Sequence, residues 1–379
     1  MKAALLGFGT VGKGVAGIID QGRDKDTAGL EIVRILKRTP ADDPRITLDY
    51  RDIEACDAEL VAECMVGLEP AHTYVRKALE AGRHVVTANK KMLAEHYIEL
   101  AGLAKEKGVR LLFEATAGGG IPWMAALRRL RRIDDVQSFR GILNGTTNYI
   151  LSAMTDAGLD FGEMLKKAQE LGYAEADPTD DIDGYDVRYK TVLSAIAAFD
   201  AAVRPETVPA LGIRHISAAD IAWGREHGRI VKLIASGEKK DGRLSLYVMP
   251  QFLPDTDVLA RIGRNFNGVE AVSTTLGPST YIGQGAGRLP TGHAMVQDML
   301  TIAKGEEMTA YEAAAAEVDN SRVEKRFYIR TDKPEVFAGV MAEAAGTGAF
   351  VTECMPLIDL LALIGQAGDP ELFAAVVAD

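Results

Sequence analysis

The stretch AEADPTDDIDGYDVRYK, residues 174–190, gathers Glu175, Asp177, Asp180, Asp181, Asp183 and Asp186 and closes on Lys190. Three chemistries use such a composition. A calcium loop needs acids alternating about a central glycine and a closing glutamate, and that order is absent. A solvated acidic surface fits ADPTDD, whose residue types favour turns throughout. An active site fits the far end. DGYDVRYKTVLSAIAAF takes on helical periodicity and puts Asp186 and Lys190 one turn apart on one face. A surface ion pair has the same spacing and contributes little. A lysine shielded among carboxylates can instead clamp a ligand or give up a proton. Periodicity does not choose between the two.

A second group lies at the start. AALLGFGTVGKGVAGII reads as a buried strand, a glycine turn and a helix, with Gly7, Gly9 and Gly12 in G-x-G-x-x-G spacing. The first glycine makes the turn, the second admits a pyrophosphate, and the third lets helix and strand pack closely. The helix start, with Thr10 and Val11, then presents N–H groups to phosphate. The spacing is weak evidence alone, but here the required strand precedes it and the helix follows. Lys37 and Arg38 stand at the end of the second strand, where an NAD site often has an acid. Cations there suit the extra phosphate of NADP; two loop charges are the plainer reading.

Two further segments carry polar residues in turns. In EATAGGGIPW, Gly118, Gly119 and Gly120 permit close backbone approach, and Glu114 can bind a cation or hold the loop. GILNGTTNYIL reads as a strand, a turn at Asn144 and Gly145, and a helix capped near Thr146 or Thr147. A hydroxyl-rich helix start suits a carboxylate ligand, and simple capping uses the same residues.

The elements that must position these residues alternate. LEIVRIL (30–36), AELVAECM (58–65), HVVTANK (84–90) and VRLLFEA (109–115) read as strands. PAHTYVRKALEAG and KMLAEHYIELAGLAKEKG read as helices closed by glycine. The alternation predicts an α/β chain with a doubly wound parallel sheet and ligand at the carboxyl ends of its strands. A net charge of -11 argues against nucleic acid as a partner. Cys56, Cys64 and Cys354 lack metal-ligand spacing and fit free thiols in a reducing compartment. No apolar run reaches membrane-spanning length, and MKAALLGFG enters a strand at once. A cytoplasmic location is the expectation.

Taken in order, GFGTVGKGV, HVVTANK, EATAGGGIP, GILNGTTNYIL, LGYAEADPTDDIDGYDVRYK and GQGAGRLPTGHA resemble homoserine dehydrogenase over roughly residues 1–304. The resemblance implies reversible reduction of L-aspartate 4-semialdehyde to L-homoserine with NADPH or NADH, within threonine and methionine biosynthesis. It implies that Lys190 is the proton donor and that Lys90, in TANK, lies near cofactor and substrate. It implies that Glu175 and Asp186 hold the substrate amino group, with Asp181, Tyr173 and Thr146 as further substrate contacts. Glu114 with the carbonyls of Ala117, Gly119 and Ile121 resembles the family's sodium site. The expected architecture is a Rossmann-type domain over 1–133 with a return segment about 286–305. An α+β substrate and dimerisation domain over 134–285 follows, and a homodimer is the expectation.

The tail resembles a shortened ACT-like α+β unit over 322–379. A strand at 326–330, a helix at 334–345 and a strand at 357–364 are expected, with Glu335 where a ligand-binding glycine would stand and no final strand.

Overall fold

A computed structural model of the chain describes residues 1–22, 26–306 and 312–379. The chain divides into two compact units: unit 1 is 1–133, 193–204 and 283–315, and unit 2 is 134–192, 205–282 and 316–379.

Unit 1 holds a sheet of β1 (Lys2–Leu6), β2 (Glu31–Leu36), β3 (Ile46–Thr47), β4 (Leu60–Glu63), β5 (His84–Thr87) and β6 (Leu111–Leu112). Their order is β3-β2-β1-β4-β5-β6, and every pairing is parallel. β1, KAALL, is apolar after its first residue because both faces are covered. The strand order reverses between β1 and β4, the place where such sheets bind ligands. Around the sheet stand α1 (Thr10–Gln21), α2 (Tyr50–Ala55), α3 (Ala71–Glu80), α4 (Lys90–Lys107), α5 (Trp123–Leu130) and the late helix α11 (Arg288–Ala303). The pair β8 (Ala201–Ala202) and β13 (Ala314–Ala315) completes the unit.

The returning α11 crosses α1 at almost bare backbone. A Cβ on Gly14 would lie 2.0 Å from the Arg288 carbonyl oxygen, and one on Gly292 would lie 2.8 Å from Gly14 carbonyl carbon. That approach packs Val15, Ala16 and Ile19 in one core with Met295, Met299 and Ile302.

Unit 2 is built on a mixed sheet. Its strands are β7 (Val136–Ile142), β9 (Arg229–Lys240), β10 (Arg243–Pro254), β11 (Phe266–Ser273), β12 (Gly277–Gln284), β14 (Glu324–Arg330), β15 (Met341–Gly346), β16 (Ala349–Thr352) and β18 (Phe373–Val377). They run β12-β11-β7-β9-β10-β18-β14-β16-β15, with β17 (Met355–Pro356) beside β14. The helices are α6 (Gly145–Ala157), α7 (Phe161–Glu170), α8 (Thr179–Ile182), α10 (Ala218–Glu226), α12 (Leu357–Ala367) and α9 (Tyr185–Phe199), whose residues 193–199 count with unit 1.

The tail differs from expectation in three ways. Residues 334–345 form a 3₁₀ turn at Pro334–Phe337 and then β15, because pairing with β16 overrides the helix propensity of an Ala/Glu-rich run. LIDLLALI is helical rather than extended: Leu357 and Leu360 face the core at i,i+3, and Gly368 ends the helix at φ 56°. A final strand exists. β18 pairs antiparallel with β14 and parallel with β10, so the tail's sheet is continuous with the rest of unit 2.

Candidate active site

The carboxylate-rich loop separates into groups with different partners. Asp183 forms two 2.7 Å contacts with the Arg214 guanidinium, and Asp177 accepts the Thr179 N–H at 3.1 Å. Asp180 is exposed. Asp186 and Lys190 turn inward on α9 and are buried, 6% and 9% exposed. Lys190 Nζ donates to Asp186 Oδ2 at 2.7 Å and to the Leu143 carbonyl at 2.6 Å. The lysine therefore sits against the end of β7, where the chain leaves the sheet for α6.

Asn144 links the group together. Its Oδ1 accepts the Thr147 N–H at 2.8 Å and so caps α6, while its Nδ2 donates to Asp181 Oδ1 at 2.6 Å and Asp186 Oδ2 at 2.9 Å. The cap is Asn144 and neither threonine; an Asn side chain reaches the N3 amide with extended backbone at the cap. Burial pushes the Asp181 carboxyl above its ordinary range, and the Asp186 charge adds to that; Asn144 and Lys190 oppose it. A buried ammonium, two carboxylates, one amide and a helix N-terminus thus converge in unit 2.

The remaining loop residues are arranged around this cluster. Thr146 Oγ1 donates to the Tyr173 carbonyl at 2.6 Å, and the half-exposed Tyr173 ring meets Tyr149 edge-on, centroids 5.0 Å apart. Glu175 is exposed; its carbonyl accepts from Gln169 Nε2 at 3.0 Å.

In unit 1 the glycine turn has the geometry of a phosphate cradle. Gly7 has φ +94°, and a Cβ on Gly12 would lie 2.2 Å from the Gly7 oxygen. Among the described residues, nothing lies within 4 Å of a Cβ added at Gly9 and no side chain caps α1, so the first N–H groups of the helix, around Thr10 and Val11, have no side-chain acceptor. Lys37 and Arg38 follow β2 and form no ion pair among the described residues.

Beside this turn, the ends of β4 and β5 are tied by a buried carboxyl that sequence reading passed over. Glu63 accepts from Thr87 Oγ1 at 2.5 Å and from the Met65 N–H at 2.6 Å. Burial raises it to about 7. Asn89 caps α4, accepting the Met92 N–H at 3.1 Å, and places half-buried Lys90 as the first helical residue.

Glu114 is also buried. Its two carboxylate oxygens accept the Met124 and Ala125 N–H groups at 3.0 and 2.7 Å, at the N-terminus of α5. Its own N–H donates to Asp298 Oδ2 at 2.8 Å. Burial raises both carboxyls, and the Asp298 charge adds to the rise at Glu114. The Ile121 carbonyl accepts from Trp123 N–H at 2.7 Å, while Gly118 and Gly119 hold the turn at φ +80° and +59°.

Residues 7–114 match the model of the homoserine dehydrogenase NAD-binding domain, and residues 122–300 match that of homoserine dehydrogenase itself. The homoserine dehydrogenase of Synechocystis is 40% identical over 317 residues, covering 80% of this chain and 73% of that protein. The chain belongs to the homoserine dehydrogenase family. The enzyme of that name from Corynebacterium glutamicum is 38% identical over 317 residues, 79% of this chain and 71% of its own. A solved homoserine dehydrogenase from Thiobacillus denitrificans superposes with TM-score 0.88 at 29% identity, covering 100% of this chain and 98% of that one. As a homoserine dehydrogenase family member the chain is an oxidoreductase with a Rossmann domain for a nicotinamide cofactor. Among the described residues, no helix is long and apolar enough to cross a membrane.

Sequence reading missed Asn144 and Glu63 as organising groups. The signal for Asn144 was present, since Asn before a helix is a preferred cap. Its two carboxylate partners lie 37 and 42 residues away, beyond any local pattern. The end of β4 gave Glu63 no mark of its own.

Proposed function

We propose that the chain interconverts L-aspartate 4-semialdehyde and L-homoserine reversibly, with Lys190 delivering the proton. The observation that carries this reading is a buried ammonium held by Asp186 and the Leu143 carbonyl beside a second, amide-held carboxylate, Asp181. The substrate has matching ends. Its ammonium needs carboxylates, for which Asp181, Asp186 and Glu175 stand in the same loop and helix. Its aldehyde oxygen gains negative charge as it is reduced, which a nearby cationic acid stabilises and then neutralises. Its carboxylate suits the start of α6 at Thr146, where helix N–H groups favour an anion, and Tyr173 borders that place.

The nicotinamide, when bound, supplies the hydride. Gly7, Gly9, Thr10, Val11 and Gly12 form the turn that would hold its pyrophosphate. Lys37 and Arg38 would hold the additional phosphate of NADP, so NADP is the favoured cofactor. Lys90, fixed by the Asn89 cap and the Glu63–Thr87 tie, is the unit 1 cation for the cofactor's reacting end. Glu114 and the carbonyls of Ala117, Gly119 and Ile121 would hold a sodium ion that offsets the buried charge of Glu114 and Asp298. A homodimer through unit 2 is the assembly that membership of this family suggests.

The test is homoserine-dependent reduction of NADP and of NAD by the purified chain, with serine as control substrate. Reduction with homoserine and none with serine is expected. A chain that binds cofactor and reduces neither would overturn the proposal.

A further inference from the structure

On unit 1, away from the glycine turn, α3 and α4 bring two histidines and a glutamate together. His72 stands near the start of α3; His96 and Glu99 are one turn apart on α4. His72 Nε2 lies 3.0 Å from Glu99 Oε2, and His96 Nδ1 lies 3.8 Å from the same oxygen. One ligand atom from each residue falls within 4.8 Å of the others. A tetrahedral zinc with bonds of about 2.0–2.1 Å separates its ligand atoms by roughly 3.4 Å. The two distances to Glu99 Oε2 bracket that value.

A second feature distinguishes this from a chance ion pair. On the other edge of the His72 ring, Nδ1 lies 3.3 Å from Glu69 Oε1. Glu69 is itself fixed by the Thr73 hydroxyl, 2.8 Å from Oε2. With a metal on Nε2, Glu69 would accept the Nδ1–H and hold the ring, which is how ligating histidines are oriented. Arg76 Nε occupies the other oxygen of Glu99 at 3.3 Å and leaves Oε2 to the histidines.

We propose that His72, His96 and Glu99 form a surface site for a borderline divalent transition metal such as Zn²⁺, with Glu69 orienting His72 and water completing the shell. Imidazole and carboxylate donors suit that class, and the absence of thiolates disfavours softer ions. The rings are stacked, centroids 3.8 Å apart and 17° from parallel. Binding therefore turns them out of the stack so that the metal lies in each ring plane; the His96 side chain is about a third exposed. The bound ion bridges α3 to α4, the helix that starts at Lys90.

The experiment is calorimetric titration of ZnCl₂ into the untagged, chelator-treated full chain. The same titration is run on His72→Asn, His96→Asn, Glu69→Gln and the control Glu80→Gln. A single saturable equivalent is expected at pH 7.5, lost in both histidine variants and unchanged in Glu80→Gln. Glu69→Gln should weaken it by about 10- to 100-fold, as loss of an orienting carboxylate does. Circular dichroism and homoserine oxidation, to which these residues do not contribute, confirm that each variant is folded. If one histidine variant does not fold, Glu99→Gln takes its place. No saturable equivalent, or one that persists in the folded ligand variants, overturns the proposal.

Discussion

Replacing Asn144 separates helix capping from organisation of the Asp181 and Asp186 carboxylates. Asn144→Ala removes the cap bond to Thr147 and both bonds to Asp181 and Asp186. A lost cap costs about 1 kcal/mol, and each hydrogen bond to a charged group contributes roughly 1.5–3 kcal/mol. With partial solvent access at Asp181, the net loss should be roughly 3 kcal/mol, and misplacement of the carboxylates should cost turnover about 10²-fold. Asn144→Asp keeps a cap acceptor but replaces a donor with a third negative charge. If Asn144 is only a cap, Asn144→Asp melts and turns over like the parent. If it organises the carboxylates, Asn144→Asp is as damaged as Asn144→Ala at pH 8 and recovers toward pH 5. The sign follows from Asp181, whose folded pKa is raised and rises further without its amide donor. The folded state then takes up a proton first as pH falls, so stability is gained on acidification until the unfolded chain protonates near its ordinary value of about 3.9. Melting temperature and kcat/KM across pH 5–8 give the answer. Parent-like Asn144→Asp, or a deficit independent of pH, would refute the reasoning.

Three other outcomes are expected. Gly14→Ala should lower stability by about 3 kcal/mol through overpacking, although helix propensity alone favours alanine by about 1 kcal/mol, because the new Cβ would lie 2.0 Å from the Arg288 oxygen; a raised melting temperature contradicts this. Arg38→Ala should raise KM for NADPH by about tenfold or more, the worth of one charge-assisted bond, and barely change it for NADH; equal effects remove the NADP argument. Lys232, buried with Nζ on Asn148 Oδ1, Ser152 and the Ile262 carbonyl, is lowered by burial to about 8. Because the folded form loses its proton first, its contribution to stability rises between about pH 8 and the unfolded value near 10.4. The parent's advantage over Lys232→Met should therefore widen across that range in melting experiments, and a constant gap contradicts it.

Much of unit 1 was legible because buried parallel strands are continuous apolar runs punctuated by glycine, as in KAALLGFG and HVVT. The Asp186–Lys190 pair was legible for the same kind of reason: an i,i+4 spacing survives in any helix. Burial was not, because the Leu143 carbonyl and Asn144 that enclose the lysine come from a distant strand end. Gly14 escaped notice because a helix interior gives no hint of a crossing helix near residue 288. In the tail, LIDLLALI has no period that separates a buried strand from a helix, and only Gly368 beyond it marks a helical end. PEVFAGVMAEAA has helical composition but pairs as an edge strand, a choice made by β16 and the glycines at 346 and 348.

The central claim is that Lys190 donates the proton to the reduced aldehyde oxygen. The most direct measurement is single-turnover reduction of aspartate 4-semialdehyde by Lys190→Met, with NADPH affinity and melting temperature measured on the same protein. Loss of a general acid costs about 10²- to 10⁴-fold, so the chemical step should slow by at least that range while NADPH affinity is retained. Lys190→Arg, whose guanidinium holds its proton at neutral pH, should not restore it. A folded Lys190→Met protein that reduces the aldehyde at nearly the parent rate would contradict the assignment and leave Lys190 and Asp186 as a structural ion pair.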